Sequence, residues 1–186
     1  MEHKIEEPFT KDKVKDLKAG DTVVLTGIIY TARDAAHKKL VDMIKAGEEL
    51  PFEIENAAIY YVGPTPEKEG CPIGAAGPTT SYRMDAYAPT LLELGQRIMI
   101  GKGNRNKEVI DATVKNEAVY LAAIGGAGAL MAQRVISSEI IAFEDLGAEA
   151  IRRLEVKDFP LTVVVDSKGT DLYKEGRKNY LNALVK

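Results

Sequence analysis

Apolar positions in this chain switch between a spacing of two and a spacing of three to four, and the switches mark the elements. TVVLTGIIYT, Thr22–Thr31, is dense in β-branched residues and predicts a strand. Helical spacing follows at once. Ala36, Leu40, Met43 and Ile44 fall on one face, Thr31 is a candidate cap with Asp34 three residues on, and Gly47 suits the end. AAIYYVG, 57–63, predicts a second strand, after which Gly and Pro dominate until Thr80.

The same reading gives a helix over 86–95 with Leu91, Leu92 and Leu94, and a short strand over 97–103. Asn106 caps a helix running to about 115, and 118–126 is another apolar strand. A helix begins near Ala127, followed by a strand over 138–146 and a helix over 148–154. Residues 161–169 form the last strong strand, and the tail, 174–186, has weak helical character. Strands and helices alternate after residue 57, which predicts an α/β fold with a central sheet. Hairpins near either end allow an antiparallel part. No linker divides the chain, so one domain over 1–186 is expected.

Composition narrows the class. Hydrophobic content of 45% and charged content of 28% over 186 residues are those of an ordinary soluble globular protein. No run nears the roughly 18 apolar residues of a membrane helix, and MEHKIEEPFT is too acidic for a secretory signal. A net charge of −3 argues against a general nucleic-acid binder but permits a local anion site. One cysteine makes no internal disulfide, and a reducing, cytoplasmic setting is expected. Two histidines and that cysteine are too few for an intrachain zinc site or an iron–sulfur cubane.

Four strand ends carry unusual chemistry. In TARDAAH, Asp34 reads as a helix cap and His37 as a solvent-facing side chain. Arg33 has two readings. It is either solvated or, since a cation in the first turn opposes the helix dipole, a ligand that holds an anion with the free N–H groups. In GPTTSYRMD, Thr79, Thr80 and Ser81 offer hydroxyls and Arg83 a planar fork suited to carboxylates. The alternative is a capping turn with Arg83 paired to Asp85. GKGNRN places Lys102 between two glycines, without phosphate-loop spacing. GGAGAL, 125–130, fails the dinucleotide spacing. Arg33, Arg83 and Lys102 together would suffice for a small dicarboxylate, each charge-assisted bond contributing about 1.5–3 kcal/mol.

TARDAAHKKL, IYYVGPTP, GPTTSYRMD, MIGKGNR and FEDLGAEAI, in that order, resemble the C-terminal region of class I iron–sulfur fumarate hydratases and the β subunit of two-subunit fumarase and L(+)-tartrate dehydratase. The resemblance covers about 20–175. It implies a swivelling β/β/α domain with a central mixed sheet flanked by helices. It also implies a hetero-oligomer with an α subunit whose cysteines hold a 4Fe-4S cluster, this chain binding no metal, and no nucleic-acid or membrane partner. In such enzymes the iron lacking a cysteine acts as a Lewis acid on substrate. By resemblance Arg33, Arg83 and Lys102 bind the substrate carboxylates and Thr79 moves the carbon-bound proton. Asp34 and Asp85 then orient the arginines, with His37 in support, and EDLGAEA, 144–150, forms part of the partner contact. The implied reaction is hydration of fumarate, with L-tartrate dehydration the alternative. A non-catalytic anion-binding or assembly module fits the same cations.

Overall fold

A computed structural model describes residues 1–124 and 126–184. Seven strands form one mixed sheet: β1 (Glu2–Glu6), β2 (Thr22–Thr31), β3 (Ala58–Tyr60), β4 (Ile98–Gly101), β5 (Val119–Ala122), β6 (Val135–Ala142) and β7 (Ile151–Val165). Strands β2, β3, β4 and β5 run parallel in sequence order. β7 runs antiparallel to both β5 and β2 and joins them, closing five strands into a ring. β1 lies against the first half of β2, and β6 against the first half of β7.

The ring has two buried faces, and alternation along each strand divides them. Ala58, Tyr60, Ile98, Ile100, Val119 and Leu121 pack inward with Leu25, Ile29, Phe159 and Val163. Ile59, Tyr61, Met99 and Tyr120 point outward under three helices. Those are α2 (Asp34–Ala46), α3 (Ala88–Glu93) and α4 (Lys107–Lys115), which contribute Leu40, Leu91, Leu92 and Val109. Strands covered on both sides read as unbroken apolar runs, which is why 57–62 and 118–122 stand out so strongly in the sequence.

The mixed sheet with flanking helices is the expected architecture. Gly47 ends α2 in the left-handed conformation, and the Asn106 side chain accepts from Val109 N–H at 2.9 Å to cap α4. Other expectations fail for identifiable reasons. The N-terminal segment carries β1 and a short helix α1 (Lys11–Val14) that its polar sequence does not announce. The helix begun near Ala127 is only α5 (Gly128–Ala132), and the strand expected over 138–146 starts earlier, at Val135. Gly125, part of the GGAGAL stretch, lies outside the described residues.

The largest departure is the helix expected over 148–154. Ala148 and Glu149 end a 3-10 segment, Glu144–Glu149, and Ile151 to Leu154 start β7. Ile151, Leu154, Val156 and Phe159 are buried, a mixed spacing of three and two. Register shifts against β2 and β6 break strict alternation and make the strand look helical in sequence. Pro160 is accommodated because β7 has left β6 by Val156 and meets β5 only from Thr162. The tail helix, α6 (Leu172–Leu184), begins before the expected 174, and 185–186 lie outside the described residues.

Candidate functional site

The parallel strands β2, β3 and β4 deliver their C-terminal ends to one edge of the ring. In open parallel sheets that edge is where ligands bind. Arg33 follows β2, Gly63 follows β3 and Lys102 follows β4.

Arg33 is extended and stands just before α2. Its Nη2 lies 3.1 Å from Glu149 Oε1 and 3.6 Å from Asp34 Oδ1, and its side chain is 21% exposed. Glu149 Oε2 also accepts the Ala35 N–H at 3.0 Å. The helix N-terminus expected to attract an anion is therefore served by a carboxylate of this chain. Thr31, the expected cap, is buried instead. Its Oγ1 donates to the Ala150 carbonyl at 3.3 Å and accepts Arg152 N–H at 2.9 Å, joining β2 to the start of β7. A Cβ at Gly63 would come 3.0 Å from Arg33 Nη1 and 3.1 Å from the Ala148 carbonyl oxygen, so a larger residue there would press the guanidinium by a few tenths of an ångström.

The Gly-rich loop has two halves. In the first, Thr65 turns the corner: its N–H donates to the Ala75 carbonyl at 3.1 Å and its Oγ1 accepts Ala75 N–H at 2.8 Å. Cys71 is exposed there, beside a groove of about 490 Å³ lined by Thr65, Pro66, Ile73, Ala129 and Val135. That groove includes none of Arg33, Thr79, Arg83 and Lys102. The second half turns back to the sheet. Thr79 N–H donates to the Tyr61 carbonyl at 2.6 Å, and Thr80 forms a parallel bridge with Lys102. Ser81 N–H donates to the Lys102 carbonyl at 2.8 Å, and Lys102 N–H donates to Ser81 Oγ at 3.1 Å. Gly101 permits this contact, because a Cβ there would sit 2.0 Å from Ser81 Oγ.

Arg83 lies in a 3-10 turn, Ser81–Met84, and its Nη2 donates to Asp34 Oδ2 at 2.8 Å. Two arginines far apart in sequence thus share one carboxylate. Thr79 and Lys102 are half-buried on the neighbouring segment, and among the described residues Lys102 has no ion-pair partner. Arg33, Thr79, Arg83 and Lys102 lie along one edge.

Two supporting assignments change. Asp85 does not pair with Arg83. Its Oδ1 accepts Arg105 Nε at 2.7 Å and its Oδ2 accepts Asn106 N–H at 2.7 Å. His37 does not face solvent. It is buried edge-on to Tyr61, with Nδ1 donating to the Arg33 carbonyl at 2.9 Å. Burial pulls its imidazole down to about 4, aided by Arg105 and opposed by the Arg33 carbonyl and Asp34. Sequence spacing had no means to expose Glu149, which reaches Arg33 only through the fold. Arg105 was visible only as a basic residue three places after Lys102.

Among the described residues no cluster of three or more His, Cys, Asp or Glu side chains is placed to hold a metal, and no helix is long and apolar enough to cross a membrane.

Comparison with known proteins gives a consistent set of relatives. The chain is 46% identical over 153 residues to the anaerobic class I fumarate hydratase of Escherichia coli, covering 81% of this chain and 28% of that one. It is 41% identical over 167 residues to fumarate hydratase 2 of Leishmania major, covering 89% and 29%. It is 41% identical over 186 positions to a Methanocaldococcus jannaschii protein provisionally named L(+)-tartrate dehydratase subunit beta, covering 95% of each. The chain therefore spans less than a third of these fumarate hydratases and nearly all of the subunit. Residues 2–176 match the family described as Fumarase C-terminus, and the chain belongs to that family.

Proposed function

We propose that this chain is the β part of a two-part hydro-lyase that reversibly hydrates fumarate to (S)-malate in the cytoplasm. An α subunit completes the hetero-oligomer and holds a 4Fe-4S cluster, which supplies Lewis-acid chemistry when bound. The donor set here does not suit that cluster, since the chain has one cysteine and it is exposed. The chain's own contribution is to bind and orient a dicarboxylate and to move a proton.

The observation that carries this reading is the meeting of Arg33 and Arg83 on Asp34, beside the Thr80–Lys102 bridge. The Asp34 carboxylate is hydrogen-bonded by Arg83 at 2.8 Å and lies 3.6 Å from Arg33. In the proposed complex Arg33, Arg83 and Lys102 hold the two substrate carboxylates. Fixing both ends of a four-carbon chain in one pose removes much of the entropic barrier to addition across its double bond. Thr79, held by the 2.6 Å bond from its N–H to Tyr61, is the proposed proton carrier at the carbon that does not gain oxygen. A threonine hydroxyl is a weak base, and the neighbouring cations favour its ionised form.

Tartrate dehydration to oxaloacetate is the second reading, favoured by the near-complete length match to the tartrate dehydratase subunit. A non-catalytic module would bind dicarboxylate without a partner. Anaerobic reconstitution with an α subunit, assayed with fumarate and L-tartrate, distinguishes all three. Malate formation is expected only from the mixture. Tartrate-only turnover selects the second reading, and dicarboxylate binding without turnover of either compound selects the third.

A further inference from the structure

A buried ion pair ties together the two loops that carry the proposed ligands. Arg105 lies three residues after Lys102, and its side chain is 0% exposed. Asp85, its partner at 2.7 Å, directly follows the turn that carries Arg83. The other Asp85 oxygen accepts Asn106 N–H, so the carboxylate is held from both sides by the loop after β4. The Arg105 guanidinium lies against the rings of Tyr61 and Tyr120, 5.4 and 5.1 Å from their centres, with Nη1 3.2 Å from Met99 Sδ. The Tyr120 hydroxyl donates to the Gly103 carbonyl at 2.9 Å and stands 2.9 Å from Ser81 Oγ. Most of these contacts join the Thr79–Asp85 segment, or the tyrosines beneath it, to the segment from Gly101 to Asn106.

Stability alone is a poor reason for this arrangement. Taking two charges out of water costs several kcal/mol per ion, and a well-packed apolar pair would serve the core as well or better. The Arg105 Nη2 even lacks a hydrogen-bond partner among the described residues. What the ion pair adds is direction. A planar fork held between two rings fixes the angle and distance of Asp85, and with it the turn that presents Arg83.

We infer that Arg105 is a positioning residue, which through Asp85 sets the separation between Arg83 and Lys102 and so the length of dicarboxylate the site accepts. It touches no substrate. The inference rests on the proposed dicarboxylate site.

The test uses the assembled two-subunit protein carrying Arg105→Lys, Arg105→Met or Asp85→Asn. The first keeps the charge and removes the fork, and it serves if the other two fail to fold. Inhibition constants for malonate, succinate and glutarate report carboxylate spacing, and hydrogen exchange at Ser81 and Lys102 reports the junction. Faster exchange is expected, with a change on the order of fivefold or more in the succinate-to-glutarate ratio. A merely structural role would lower the amount of active protein and leave that ratio unchanged, which would overturn the inference, as would unchanged exchange in all variants. A wild-type assembly that binds no dicarboxylate would instead overturn the proposed function, and the selectivity claim with it.

Discussion

Asp34 and Arg83 are 49 residues apart in sequence and 2.8 Å apart in space. Arg33 approaches the other oxygen of the same carboxylate. Asp34 is therefore the counter-ion of two cations that would otherwise repel one another at the site edge. Removing it in Asp34→Ala should lower kcat/KM by roughly 10- to 100-fold, about 1.4–2.8 kcal/mol of lost transition-state stabilisation. Because the group is part-exposed, the unfolding free energy should move by less than about 1 kcal/mol. Kinetics of the reconstituted enzyme and urea denaturation of the variant measure the two effects. A large stability loss with unchanged kinetics would make Asp34 purely structural.

Arg83 is 41% exposed in this chain, and in the proposed complex substrate and partner would bury it. Arg83→Ala should then cost about 2–5 kcal/mol in the assembled enzyme, a rate loss of about 30- to several-thousand-fold. An effect below about threefold would remove Arg83 from the substrate contacts.

Thr79 separates shape from chemistry. Thr79→Ser keeps the hydroxyl and should retain much of the activity, while Thr79→Val keeps the shape and should lose it. A solvent-exchange assay of the carbon-bound hydrogen tests the proton-transfer role directly. Equal rates in the two variants would end that assignment.

His37 predicts a pH dependence of stability. Folding lowers its pKa from 6.5 to about 4, so between those values the unfolded chain binds a proton that the folded chain refuses. The His37 contribution is intact above about pH 6.5, declines as the pH falls, and levels off below about 4. The total loss is on the order of 3 kcal/mol. Denaturant midpoints at a series of pH values, compared with His37→Phe, should show a shallower slope in the variant over that window. Parallel slopes would mean that other groups dominate.

Gly101→Ala probes the junction between the loops. The new methyl would land on Ser81 Oγ and within 2.9 Å of Tyr61 Cδ2. Overpacking of this kind typically costs about 1–3 kcal/mol. The stability loss should be accompanied by loss of the Thr80–Lys102 bridge, visible as faster exchange of the Ser81 and Lys102 amides. A variant as stable as the parent, with protected amides, would refute the tight contact.

What the sequence made legible was local. The apolar runs in β3 and β5 announce strands because both their faces are buried, and β2 announces itself by its β-branched residues. Asn106 and Gly47 announce helix ends because capping is a short-range act. The strand-end motifs point to Arg33, Thr79, Arg83 and Lys102, and the fold brings these to one edge. Pairing across the chain was not legible. Asp85 beside Arg83 suggests a neighbourly ion pair, yet the turn sends the two side chains apart and Asp85 takes Arg105. Ile151–Leu154 looked helical because β7 carries register shifts that blur its alternation. His37 looked exposed because nothing local records that Tyr61 comes over it.

Closure of the ring by β7 dictates an order of events during synthesis. Thr22 must wait for Thr162 before that half of its ladder exists. At roughly 5–20 residues per second the ribosome delivers β7 well after β2, leaving the early strand with an open flank in the meantime. Glu149 and the Ala150–Arg152 contacts to Thr31 arrive with the same late segment. A nascent chain halted before Glu144 would hold Arg33 without its strongest counter-ion. The edge that carries Arg33 is thus finished by a segment translated well after Arg33 itself.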